Sequence, residues 1–103
     1  LTRAAMCEGI EGGPQNEAIV FSAGLGKVFC YTDFDPVPRK AFIYHNWFQR
    51  DRVVAKVRLS VQPPRWSTYS RIFLQETRKG PWRVEITDQD GRVLDILRFS
   101  VTD

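Results

Sequence analysis

Residues 80–101 read Gly80-Pro81-Trp82-Arg83-Val84-Glu85-Ile86-Thr87-Asp88-Gln89-Asp90-Gly91-Arg92-Val93-Leu94-Asp95-Ile96-Leu97-Arg98-Phe99-Ser100-Val101, and this stretch decides the fold. Trp82, Val84 and Ile86 alternate with Arg83, Glu85 and Thr87, the period of two of a strand with one buried face. Asp88-Gln89-Asp90-Gly91 supplies turn chemistry: Asp suits the first position of a type I turn, and Gly takes the positive φ that closes the hairpin. The chain returns through Leu94 and Ile96, then through Leu97, Phe99 and Val101. That change of parity predicts a β-bulge between Ile96 and Leu97.

Working outward, the chain has the length of one domain, 103 residues, enough for a core but too short for a core and an elaborate active site. A composition 43% hydrophobic and 26% charged is that of a globular protein and argues against disorder. No apolar run approaches the roughly 20 residues of a membrane span. No charged, apolar leader opens the chain, so any signal peptide or anchor is expected to have been removed. The net charge of +3 comes from scattered residues, mostly Arg and commonly beside aromatics. Such a pattern favours anionic surfaces mildly and does not make a nucleic-acid groove.

Cys7 and Cys30 are the two cysteines. An even count in a small β-rich chain predicts a disulfide and an oxidising compartment. The bridge would stabilise the fold by roughly 3 kcal/mol. The alternative is a pair of buried free thiols in a cytosolic protein.

Residues 1–20 are weakly patterned: a short edge strand near Ala4, Ala5, Met6 and Cys7, then a loop through Gly12, Gly13 and Pro14. Ile19, Val20 and Phe21 make a brief apolar patch. A β-branched and aromatic strand follows over 27–34, and Pro36 and Pro38 break the pattern after it. Residues 41–49 form a strand with aromatics on both faces: Ile43, His45 and Trp47 on one, Phe42, Tyr44 and Phe48 on the other. Val53, Ala55, Val57, Leu59 and Val61 mark the inward face of the next strand, with Lys56 and Arg58 among the alternating residues. A further strand, over 66–74, places Ser67 and Arg71 outward. Six to seven short strands without a helical period predict an all-β, small antiparallel β-sandwich, immunoglobulin-like in architecture, spanning 1–103 as one domain. A small closed barrel is the other solution.

Several pieces recur together: Phe21 ahead of Gly26-Lys27-Val28 and Cys30; Ile43-Tyr44-His45-Asn46-Trp47; Arg65-Trp66-Ser67-Thr68-Tyr69-Ser70; Gly80-Pro81-Trp82-Arg83-Val84; Asp90-Gly91-Arg92-Val93-Leu94; and Phe99-Ser100-Val101. In these the chain resembles the bacterial DUF2914 family, over most of its length from Phe21 onward. The resemblance implies a bacterial β-domain, small and exported or carried behind a membrane anchor, and hence an extracytoplasmic location. It brings no catalytic residues with it.

The residues themselves offer little chemistry. His45 is the single histidine and lacks a second strong metal ligand or a triad partner, so it is read as a hydrogen-bonded residue near a sheet face. Asp33 and Asp35 could contribute to a calcium site only with further oxygen ligands that no acidic run supplies. Asp88 and Asp90 belong to a turn. Trp47, Trp66 and Trp82 are read as core, with an aromatic platform for sugars as the competing reading. No catalytic residue, metal or cofactor is assigned.

The expectation is therefore a non-catalytic exported module. It would bind a protein or glycan at the cell surface through Phe42, Tyr44 and Phe48 with Arg50, Arg52 and Arg71. The alternative is a structural subunit that joins copies of itself through the aromatic face or a free sheet edge.

Overall fold

The computed structural model describes all residues, Leu1–Asp103. Eight strands run in chain order: β1 (Arg3–Cys7), β2 (Val20–Ser22), β3 (Lys27–Phe34), β4 (Ala41–Gln49), β5 (Arg52–Val61), β6 (Trp66–Phe73), β7 (Gly80–Asp88) and β8 (Val93–Thr102). They form two sheets, one ordered β1-β3-β6 and one ordered β2-β8-β7-β4-β5. The all-β sandwich expected from alternation is thus present. It carries one pair the sequence did not signal: β2 runs parallel to β8, with Val20 opposite Ser100 and Phe21 opposite Val101. A three-residue strand held by a distant partner leaves no local period to read.

The deciding hairpin forms as its turn chemistry requires. Gly91 N–H donates to the Asp88 carbonyl at 3.1 Å, and Gly91 sits at φ 85. The Asp88 carboxylate accepts from the backbone N–H of Asp90 and of Arg92, each at 2.9 Å. The bulge lies earlier than expected. The register shifts between Ile86 and Thr87, opposite Asp95 and Val93, so Leu94 is the extra residue. Ile96 therefore pairs with Glu85 on the outer face, and Leu97, Phe99 and Val101 face inward.

A second bulge shapes the β4–β5 hairpin, where the register shifts between Trp47 and Phe48 and Val54 is extra. Val53, expected inward, pairs with Phe48 on the outer face and is exposed. Beyond the bulge, Ala55, Val57, Leu59 and Val61 oppose Trp47, His45, Ile43 and Ala41 on the inner face, as their alternation predicts.

Between the sheets lies one apolar cluster, with Phe99 at its centre. Phe21 and Trp47 meet the Phe99 ring edge-on at 5.9 and 6.1 Å, and Trp82 stacks on it at 5.9 Å. Such pairings each add about 0.5–1.5 kcal/mol to the area they bury. Trp66 departs from the core reading and is partly exposed at the start of an edge strand.

The expected disulfide is absent: Cys7 and Cys30 are both free and buried. The register explains it. Met6 opposes Cys30, and Cys7 opposes Phe29, so the two thiols point to opposite faces of the three-stranded sheet. Cys30 lies in the inter-sheet core with Met6. Cys7 lies on the outer side, beneath the loop that doubles back where Gly9 bridges Gln15. Burial raises the pKa of both thiols, which keeps them protonated and unreactive. No helix of the chain is long and apolar enough to cross a membrane.

Candidate functional site

His45 is sealed between the sheets, and its hydrogen bonds account for every proton. Thr32 Oγ1 donates to the Thr68 carbonyl at 3.3 Å, so it must accept from His45 Nε2–H at 3.1 Å. His45 Nδ1 then accepts from the Ser70 hydroxyl at 2.6 Å, and Ser70 Oγ accepts from the Trp47 indole N–H at 2.9 Å. The ring is neutral, and burial lowers its pKa to about 4. The network pins β4 of one sheet to β3 and β6 of the other. It leaves no atom of His45 for a substrate.

Asp33 is likewise engaged. Arg65 donates to both carboxylate oxygens, at 3.3 and 2.8 Å, and Ser67 donates a third bond at 2.9 Å. The Arg65 guanidinium, followed by the Ser67 hydroxyl, holds the Asp33 carboxyl below its usual range despite burial. Both oxygens face a cation and a hydroxyl rather than a vacant metal position.

The outer face of the five-stranded sheet gathers most of the candidate residues. Phe42, Tyr44 and Phe48 project there from β4, since Ile43, His45 and Trp47 take the inner face. None of the three rings is bare. Arg58 lies over Phe42 at 4.7 Å, Lys56 over Tyr44 at 4.9 Å and Arg83 over Phe48 at 4.1 Å. Each such contact is worth about 0.5–1 kcal/mol at an exposed site. Arg50 and Arg52 flank the face at the β4–β5 turn. Arg71 does not join them: it lies on the outer side of the other sheet, opposite Phe29 and beside Phe73.

Lys56, Arg58, Arg83 and Arg98 also belong to this surface, beyond the residues expected from the sequence. The alternation of β5 already put Lys56 and Arg58 opposite to Val57 and Leu59. What was missing was the register that sets them against the β4 rings. Arg83 is neutralised in part, with Glu85 at 2.8 Å and Asp51 at 3.7 Å. Arg50, Arg52, Lys56, Arg58 and Arg98 have no carboxylate within ion-pairing distance.

The strands bearing this face are β4, β5, β7 and β8. Residues 40–101, which span β4, β5 and β7 and all of β8 but its last residue, match a family model described as protein of unknown function (DUF2914). The chain belongs to the DUF2914 family. The match covers more than half of this DUF2914 domain and begins at residue 40, so the Phe21 to Cys30 lead-in lies outside it. All three β4 rings and the cations above them fall inside the matched DUF2914 span. No curated protein matches the chain.

Proposed function

We propose that this domain is a non-catalytic, exported binding module that recognises an anionic partner through the outer face of its five-stranded sheet. One observation carries the reading: Lys56 and Arg58 are exposed, lack carboxylate partners, and rest on Tyr44 and Phe42. An aromatic ring beneath a long cationic side chain limits its wandering and reduces the entropy lost on binding. Because cations occupy the ring faces, the surface suits recognition by charge better than stacking of a neutral sugar. The partner is an acidic protein surface or an anionic glycan outside the cytoplasm.

The test compares two double variants of equal charge change. Lys56→Glu with Arg58→Glu alters the proposed face, and Lys27→Glu with Arg71→Glu alters the other sheet. Retention is read on immobilised heparin and on poly-L-glutamate. The first variant should lose retention while the second keeps most of it, and the matrix that discriminates more strongly identifies glycan or polypeptide. Equal losses would reduce the effect to net charge and defeat the reading.

A second reading, self-association, is favoured by β6. This strand is one of the two edges of its sheet, and it exposes Tyr69 at 41% and Phe73 at 65% with Arg71 as its only charge. Leu74 N–H donates to the Gly26 carbonyl, so by alternation the backbone groups of Ser67, Tyr69, Arg71 and Phe73 face the open edge. The β5 edge, by contrast, carries Arg52, Lys56 and Arg58, the kind of charge that blocks strand addition. Sedimentation across a range of concentrations should reveal association in the native chain that Phe73→Lys removes. A monomer at every concentration would rule the second reading out.

A further inference from the structure

The outer face ends in a cleft of about 560 Å³ where β2, β7, β8 and the β4–β5 turn meet. Its lining includes Arg50, Arg83 and Arg98 with one carboxylate, Asp51, and the apolar Ile19, Val20 and Pro81. Two features mark it off from ordinary charged surface. Arg83 and Arg98 stand directly opposite each other across β7 and β8, a like-charge pairing that weakens a sheet. Arg50 takes φ 55, left-handed backbone that residues other than glycine rarely adopt. Its guanidinium lies against Gly80, where a Cβ would come within 3.2 Å of it. Local arrangements that oppose stability in this way tend to persist at functional sites.

The charges are only partly satisfied. Arg83 donates to the Arg50 carbonyl at 2.8 Å and pairs with Glu85 and Asp51, whereas Arg50 and Arg98 have no carboxylate partner. Beside them Ile19 and Val20 are 72% and 55% exposed, two β-branched apolar side chains held in water next to free guanidinium groups.

We propose that this cleft binds an oxyanion, carboxylate or phosphate, attached to an apolar chain. The charged end would bridge Arg98 and Arg50 and relieve the repulsion between Arg98 and Arg83. The apolar end would cover Ile19, Val20 and Pro81. This narrows the anion-binding reading of the same sheet face and rests on it.

The probes are hexyl phosphate, hexanoate, inorganic phosphate and hexanol, titrated against the whole domain by calorimetry and by amide chemical shifts. A hexyl anion should bind at least about tenfold more tightly than inorganic phosphate, because several methylenes leave water. Hexanol should not register. Whichever of hexanoate and hexyl phosphate binds more tightly identifies the charged group. Arg98→Gln should lose about tenfold in affinity for that anion while the ligand-free domain melts at the same or a higher temperature. Ile19→Ser with Val20→Ser should bring hexyl phosphate down to the level of inorganic phosphate. Equal binding by the native and Arg98→Gln proteins, or no binding of either hexyl anion, would overturn the proposal. Should the hexyl anions fail while Lys56 and Arg58 still govern retention on heparin or polyglutamate, the cleft proposal falls and the wider reading of the face stands. Loss of both would remove the two together.

Discussion

A proton added to His45 would set a second N–H against Ser70 Oγ, whose own proton now points at the ring. Neutral histidine is therefore built into the sandwich, and the consequence is a stability that depends on pH. The folded pKa, lowered by burial to about 4, lies below the ordinary value of 6.5. Between those values the unfolded chain binds the proton and the folded one does not, so stability falls as pH drops from 6.5 towards 4. The full shift corresponds to about 3 kcal/mol. Urea unfolding at a series of pH values should show that fall, and His45→Gln should flatten it. At the same scale, Trp82 is buried, stacks on Phe99 and donates to the Arg78 carbonyl at 2.7 Å. Trp82→Ala should cost about 3–5 kcal/mol in the same assay. The two thiols give a third check. Thiol reagent should find no reactive sulfur in the native domain and two after denaturation without reductant. Fewer than two would restore the disulfide and overturn the β1–β3 register.

One inserted residue decides which way β5 faces. The turn at Arg50 and Asp51 pairs Gln49 with Arg52, and continued without a bulge that register would set Lys56 opposite His45 and Arg58 opposite Ile43. Val54 shifts it by one, so Lys56 opposes Asn46 and Arg58 opposes Tyr44 on the outer face. With Val54 present, the unbulged register would bury both charges unpaired at several kcal/mol each, against a total stability of about 5–15 kcal/mol. Deleting Val54 should remove the bulge and keep both cations outward, since Ala55 would follow Val53 directly and still pair with Trp47. The deletion variant should therefore keep a cooperative thermal transition; its loss would show that the bulge does more than face the two cations outward. In the neighbouring hairpin, Asp88→Ala loses two side-chain bonds to the turn and should cost about 1–2 kcal/mol. This turn was legible in the sequence because its chemistry is local. The β8 bulge was misplaced because Leu94 and Ile96 are both apolar, and composition does not reveal that Ile96 lies outside against Glu85. The β2–β8 pair was not legible at all, for its partners are some 80 residues apart in sequence.

For the whole molecule, the two sheets divide the labour. The three-stranded sheet and the loop folded over Cys7 close one side of the core, and the five-stranded sheet turns its outer side to solvent with rings and cations in register. The aromatic half of that surface could be read from the alternation of residues 41–49. Its cationic half depends on strand pairing, which is why Arg71 was included and Lys56, Arg58, Arg83 and Arg98 were not. On the proposed function, anions dock on this face. Amide shift mapping on the isotope-labelled domain, titrated with a sulfated heparin tetrasaccharide and with a short polyglutamate peptide, tests it most directly. The largest changes should fall on Tyr44, Lys56, Arg58, Arg83 and Arg98, with β1, β3 and β6 unmoved. Shifts concentrated on Lys27, Tyr69 and Arg71 instead, or spread evenly over both sheets, would contradict it.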